Sequence, residues 1–176
     1  LPMLSVTRLL NGTVNTGDAL RYGRLTARVP PHLLHFSADK KPVAVWNLTR
    51  RCNLFCVHCY SDSHNRAYPG ELTTEEGRAL LDDLARFGVP TVLFSGGEPL
   101  MRPDLFDLVA YASDQGLRSV LSTNGTLITP EAARKITQSG FAYVGGSLDG
   151  VGAGHDKVRG KKGAYAAALN GLRLCR

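Results

Sequence analysis

From Pro42 onward the chain alternates short apolar runs with longer stretches whose apolar positions recur every three or four residues. The first run, VAVWNLT at 43–49, is β-rich and bounded by Pro42 and Arg50, which reads as a short buried strand. LTTEEGRALLDDLARFG then takes up a helical period: Thr73 and Glu76 form a capping box, Leu80, Leu84 and Phe87 fall on one expected inner face, and Gly88 suits the end. TVLFS at 91–95 predicts a second strand, and Pro103 opens a helix running through Gln115 to Gly116. SVLS at 119–122 predicts a third strand, followed by a helix that Thr129 and Pro130 open and Gly140 closes. AYVGGSL at 142–148 is a fourth strand and GAYAAALNGLRLC a fourth helix.

Strands and helices in strict alternation predict parallel βαβ units, hence an α/β fold. In such sheets and barrels ligands bind beyond the carboxyl ends of the strands. Four conspicuous segments fall there: Cys52 to Cys59, SGGEP, STNGT and SLDGV. Residues 1–42 stand outside the repeat and read as an N-terminal extension with a turn-prone NGTVNTGD.

Composition narrows the class. At 176 residues and 43% hydrophobic content the chain can build one real core. No stretch approaches the ~20 apolar residues of a membrane helix, so no membrane partner and a cytoplasmic location are expected. The net charge is +6, but the basic residues are scattered: Arg21, Arg24 and Arg28, then Arg50 and Arg51, then Lys157 to Lys162. Without a basic stripe interleaved with aromatics, nucleic acid is not the expected partner. GVGAGHDK lacks the third glycine of a dinucleotide loop, and GKKGAY lacks the ending of a phosphate loop.

Three of the four cysteines, Cys52, Cys56 and Cys59, lie within RRCNLFCVHCYSD at the spacing C-x3-C-x2-C. In a reducing compartment, clustered cysteines are metal ligands or redox groups more often than disulfides. Thiolates select zinc or iron-sulfur clusters. A structural zinc site needs a fourth ligand, from His58, His64 or Cys175; a four-iron cluster on three thiolates keeps one iron open for a cofactor. His32, His35 and His64 otherwise read as surface or core histidines, and Cys175, beside Leu172 and Leu174, as a packed thiol. Asn124, Ser147 and Asp149 equally suit helix capping and turn satisfaction.

The C-x3-C-x2-C loop after one strand and Gly96-Gly97-Glu98-Pro99 after the next together resemble the radical S-adenosylmethionine (SAM) enzymes. The resemblance runs from about residue 43 to 176 and implies a radical SAM core there, incomplete at its C-terminal end. It implies a partial (β/α) barrel with four units in this chain, whose last strand presents an unpaired edge and an apolar face. By that resemblance Cys52, Cys56 and Cys59 hold a [4Fe-4S] cluster, and the amino and carboxylate groups of SAM chelate the open iron. Gly96 to Glu98 receive the amino group, Pro99 completes the turn, Ser147 and Asn124 face the ribose and methionyl end, and Arg159 pairs with the SAM carboxylate. The position before the third cysteine is usually aromatic in the family; here His58 offers its flat ring to the adenine.

The segment from ALRYGRLTARVPPH through the cysteines resembles radical SAM proteins of siroheme-dependent haem pathways. This implies a 5′-deoxyadenosyl radical used for side-chain removal on a siroheme-derived tetrapyrrole, with peptide-modifying maturases as the alternative. It further implies an electron donor such as flavodoxin or ferredoxin, and an auxiliary iron-sulfur cluster in a C-terminal domain beyond this chain. Arg21, Arg24 and Arg28 are candidates for the substrate carboxylates. Beginning at Leu1 and ending within a helix at Arg176, the chain reads as part of a longer protein.

Overall fold

The fold is that of a computed structural model in which residues 41–175 are described. Arg21, Arg24, Arg28, His32, His35 and all but the last two residues of the expected N-terminal extension lie outside the described residues. Four strands, β1 (Ala44–Thr49), β2 (Thr91–Gly96), β3 (Arg118–Thr123) and β4 (Phe141–Gly146), form one sheet in the order β1-β2-β3-β4. Every neighbouring pair is parallel. Because each crossover steps in the same direction, the sheet is the wall of a partial (β/α) barrel; a doubly wound sheet reverses its order.

The connecting helices are α1 (Thr74–Phe87), α2 (Leu105–Asp114), α3 (Pro130–Gln138), α4 (Ala153–Arg159) and α5 (Ala164–Leu174). Among the described residues no helix is long and apolar enough to cross a membrane. On one face of the sheet Trp46, Phe94, Leu121 and Val144 stand in register. They pack with Leu81 of α1, Leu105 and Leu108 of α2, and Ile136 of α3. Burying such side chains contributes about 1.5–3 kcal/mol each, so this layer holds the sheet rigid beneath the loops. The opposite face is open at both outer strands, where Val45 is 57% and Tyr143 56% exposed. The exposed fourth strand agrees with the expectation from sequence.

The capping box of α1 is formed: Thr73 Oγ1 accepts from Glu76 N at 3.2 Å, and Glu76 Oε2 accepts from Thr73 N at 2.8 Å. Gly88 ends the helix in the left-handed region at φ 82°. The inner stripe, however, is Gly77, Leu81 and Leu84, and Phe87 is 54% exposed beneath the Lys41 ammonium. Trp46 sets this rotation, because it fills the space beside Gly77 and would meet a Cβ there at 2.8 Å. The second helix begins at Leu105 rather than Pro103, after a 3-10 turn over Pro99–Met101. Helix α4, between Gly152 and Gly160, was not anticipated from the sequence.

Asp104 precedes α2 without capping it. Its carboxylate instead accepts from Arg102 at 2.7 and 2.9 Å and from Thr74 Oγ1 at 2.7 Å, while Arg102 also donates to the Leu48 and Leu72 carbonyls. The Arg102 hydrogen bonds hold the Asp104 carboxyl below the usual carboxylate range. With the folded value below the unfolded one of about 3.9, the pair's stabilisation is present above the unfolded value and is lost as pH falls through the folded one. Asp104→Asn in the full-length protein should therefore flatten the acid limb of the stability profile, read by denaturation across that range. An acid limb identical to wild type would contradict the assignment.

Candidate metal and cofactor site

The loops after all four strands converge at one end of the sheet. At the end of β2, Gly96 has φ 128°, and a Cβ there would overlap the Thr49 carbonyl. A Cβ on Gly97 would stand 2.7 Å from the Arg50 carbonyl oxygen. The two glycines thus admit the chain's own backbone: Gly97 N donates to Thr49 O at 2.7 Å and Glu98 N to Arg51 O at 2.9 Å. Their first use is to seat the cysteine loop against β2. Glu71, which the sequence did not single out, anchors the same loop by accepting from Thr49 Oγ1 and Arg50 N.

Glu98 is fully buried. Its Oε1 accepts from Thr123 Oγ1 at 2.7 Å and Leu100 N at 3.1 Å, and its Oε2 accepts from Asn124 N at 2.8 Å. Burial pushes the carboxyl up, and these donors pull it back only in part. Pro99 follows, buried, at the head of the 3-10 turn. The carboxylate therefore clamps the end of β2 to the end of β3. Asn124, held by this clamp, donates through Nδ2 to Asn53 Oδ1 at 2.9 Å, and its own Oδ1 accepts from Thr126 N and Oγ1.

The cysteine loop is tied down along its length. Cys52 N donates to His64 O at 3.1 Å, Phe55 N to Arg159 O at 3.1 Å, and Val57 N to Val158 O at 2.9 Å. All three thiols are free, and each sulfur meets a different nitrogen donor. Asn124 Nδ2 lies 3.9 Å from Cys52 Sγ, Arg159 Nη1 3.6 Å from Cys56 Sγ, and Ser63 N 3.4 Å from Cys59 Sγ. Burial pushes the Cys52 thiol up. Desolvation acts the same way on Cys59, but hydrogen bonds from Ser61 and Ser63 outweigh it and bring that thiol down. A sulfur that ligates iron still accepts hydrogen bonds, and such donors tune the cluster, so this donor set fits a thiolate-held iron-sulfur group.

Two of the three alternative zinc ligands, His64 and Cys175, are engaged elsewhere. His64 Nε2 stands 3.1 Å from Asp62 Oδ1, and Cys175 packs against the main core with its thiol pushed up by burial. Among the described residues no three His, Cys, Asp or Glu side chains gather closely enough to hold one metal ion.

Beyond β4, Ser147 N donates to Thr123 O at 3.1 Å, which fixes the SLDG turn beside Asn124. Asp149 Oδ2 lies 2.6 Å from Arg159 Nε and 3.8 Å from His58 Nε2. The Arg159 N–H is not directed at that oxygen, so the contact is ionic. Asp149 N donates to Nδ1 of the fully buried His155, which leaves that ring's proton on Nε2, with the ring edge-on to Tyr165 at 5.8 Å between centroids. Asp149 therefore joins His58 and Arg159, two residues that the sequence suggested separately. The three cysteines, Glu98, Asn124, Ser147, His58 and Arg159 all belong to this one loop cluster. Asn53, Glu71 and His155 were missed because their roles are set by contacts 6 to 73 positions away along the chain.

The chain matches the family model of the Radical SAM superfamily over residues 46–176. It is 58% identical over 173 residues to the Fe-coproporphyrin III synthase of Methanosarcina barkeri, covering 98% of this chain and 43% of that protein. Identity to the pre-heme d1 synthase of Dinoroseobacter shibae is 51% over 147 residues, covering 84% of this chain and 36% of that protein. The solved structure of native anSMEcpe with bound AdoMet aligns at TM-score 0.62 and 22% identity, over 76% of this chain and 40% of that one, a likeness of fold. The chain spans less than half the length of the curated relatives it matches. With all three cysteines and the Gly-Gly-Glu-Pro turn inside the matched residues, the chain belongs to the radical SAM superfamily of iron-sulfur enzymes.

Proposed function

We propose that Cys52, Cys56 and Cys59 hold a [4Fe-4S] cluster completed by SAM, and that the whole protein removes side chains from a siroheme-derived tetrapyrrole. The cluster reading is supported above all by three free thiols on one loop, each with its own nitrogen donor. The tetrapyrrole reading is supported by the 58% identity to the Fe-coproporphyrin III synthase.

Held by Cys52, Cys56 and Cys59, the cluster together with SAM would supply one-electron reductive cleavage of SAM and, through it, hydrogen-atom abstraction from the substrate. The chain's own residues bind and orient. Because the Glu98 carboxylate is taken up by Thr123, Leu100 and Asn124, backbone carbonyls at Gly96 and Gly97 are assigned to the SAM ammonium. Pro99 stiffens that turn. His58 is assigned to the adenine, and Ser147 with Asn124 to the ribose and methionyl end. Arg159, steadied by Asp149, offsets the negative charge of the thiolates beside Cys56 and is assigned to the SAM carboxylate. The open sheet face at Val45 and Tyr143 offers apolar surface to a flat macrocycle.

The test is anaerobic iron and sulfide reconstitution of the full-length protein, then reduction with SAM and a siroheme derivative or a peptide. Expected are bound iron and sulfide, 5′-deoxyadenosine, and decarboxylated or shortened side chains on the tetrapyrrole alone. Iron above four per chain belongs to an auxiliary cluster outside these three cysteines. A stable zinc protein that forms no 5′-deoxyadenosine would overturn the cluster reading, and modification of the peptide alone would overturn the tetrapyrrole.

A further inference from the structure

Asn53, Asn124 and Thr126 close a hydrogen-bonded ring between the cysteine loop and the loop after β3. Asn124 Nδ2 donates to Asn53 Oδ1 at 2.9 Å, Asn53 Nδ2 to Thr126 Oγ1 at 2.9 Å, and Thr126 Oγ1 to Asn124 Oδ1 at 2.7 Å. One backbone group fixes the direction of the whole ring. Thr126 N, which can only donate, stands 2.9 Å from one end of the Asn124 amide, so that end is the oxygen. The other end is then NH2, and the Asn53 atom facing it must be an oxygen. Asn53 thereby turns its own NH2 to the Thr126 hydroxyl, which passes its hydrogen to Asn124. Each member donates to the next, an arrangement in which every bond polarises its neighbour.

The consequence lies outside the ring. Asn124 Nδ2 carries two hydrogens; Asn53 takes one, and Cys52 Sγ, 3.9 Å away, is the acceptor for the other. Cys52 is 6% and Asn124 7% exposed, so water screens this contact little. Asn53 follows Cys52 directly in the chain and Asn124 N is held by Glu98, which anchors both ends. At Cys56 the donor is a guanidinium and at Cys59 a backbone N–H, neither of which can present an oxygen to sulfur. The Asn124 amide could do so by turning over, and the ring prevents it.

We propose that the ring of Asn53, Thr126 and Asn124 is a positioning device that holds the Asn124 NH2 group on Cys52 Sγ and thereby raises the one-electron reduction potential of the cluster. The inference rests on the reading of Cys52 as a cluster ligand. Asn53 and Thr126 act through Asn124 rather than on the sulfur. In the couple concerned one electron and no atom enters, taking the cluster from the 2+ to the 1+ state. An N–H directed at a thiolate stabilises negative charge there, so it favours the reduced, more negative state.

The experiment is a redox titration of the reconstituted full-length protein without SAM, the reduced cluster being read by its paramagnetic resonance signal at each poised potential. Asn124→Leu keeps the branched shape without a donor, Thr126→Val removes the ring hydroxyl, and Thr126→Ser keeps it. Asn124→Leu should lower the reduced-to-oxidised ratio at a given potential about tenfold, which is about 59 mV for one electron. Thr126→Val should shift the same way by less, because Thr126 N still holds Asn124 Oδ1, and Thr126→Ser should titrate with wild type. Iron and sulfide are assayed on every protein, so that loss of the cluster is not read as a shift in potential. If Asn124→Leu takes up no iron, the two Thr126 variants carry the comparison. A wild-type potential in Asn124→Leu or in Thr126→Val overturns the proposal, as does a shift in Thr126→Ser equal to that in Thr126→Val. Unchanged potentials with a raised KM for SAM in Asn124→Leu would make Asn124 a contact to SAM alone, which overturns it too. Failure of the wild-type protein to take up iron and sulfide refutes the cluster reading instead, and shows before any potential is measured.

Discussion

Replacing Cys52, Cys56 or Cys59 by alanine in the full-length protein should remove the cluster and abolish 5′-deoxyadenosine formation, whereas Cys175→Ala should leave both in place. Loss of a ligand should exceed the roughly 10–100-fold that removal of a ligand's outer partner causes. Cys175 differs in its surroundings: it packs against the main core around Leu81 and Phe94, while Cys52 and Cys56 share a separate small cluster with Leu54 and Ala164. Iron content, sulfide content and product are measured on all four variants after identical reconstitution. Retention of full iron in Cys56→Ala, or its loss in Cys175→Ala, would falsify this division, the second result pointing to Cys175 as a metal ligand.

The second large effect is expected at Glu98. In Glu98→Ala the buried donors Thr123 Oγ1 and Asn124 N and the part-buried Leu100 N lose their acceptor. Each orphaned buried group costs about 1–3 kcal/mol, so the variant should be destabilised by about 3 kcal/mol or more, even with partial relaxation. Glu98→Gln keeps one acceptor oxygen but turns an NH2 group toward one of the former donors, and should cost about 1–2 kcal/mol. Since Asn124 carries the clamp onward to Asn53 and Cys52, iron retention should fall in the same order, wild type above Gln above Ala. Chemical denaturation and iron analysis on the three proteins check this. Unchanged stability in Glu98→Ala, with only a raised KM for SAM, would instead make the carboxylate a direct SAM contact.

Much of the arrangement was legible because it is local. The capping box at Thr73 and Glu76, the Thr129–Pro130 helix start and the left-handed Gly88 follow from residues a few positions apart, where side chain and backbone choose each other without help from the fold. The alternation of strand and helix carried the barrel topology for a related reason: parallel strands need crossovers, and crossovers turn one way. Where the reading slipped, a distant partner decided. Trp46 rotated α1 so that Gly77 faces inward and Phe87 outward.

For the site, the cysteine spacing by itself left zinc and an iron-sulfur cluster open, and the resemblance carried jointly by the C-x3-C-x2-C loop and the Gly-Gly-Glu-Pro turn pointed to the family. The working relations were beyond the sequence. That Gly96 and Gly97 admit the backbone of β1's outgoing loop, that Glu98 clamps two strands, and that Asp149 holds Arg159 against Cys56 are facts about groups brought together from four separate loops. Hydrogen bonds and ion pairs act over a few ångströms, and only packing of the strands on their helices sets which of these residues come within that range. Sequence alone therefore determined the family and the topology; tertiary structure decided which polar groups of the converging loops are used to hold those loops in place.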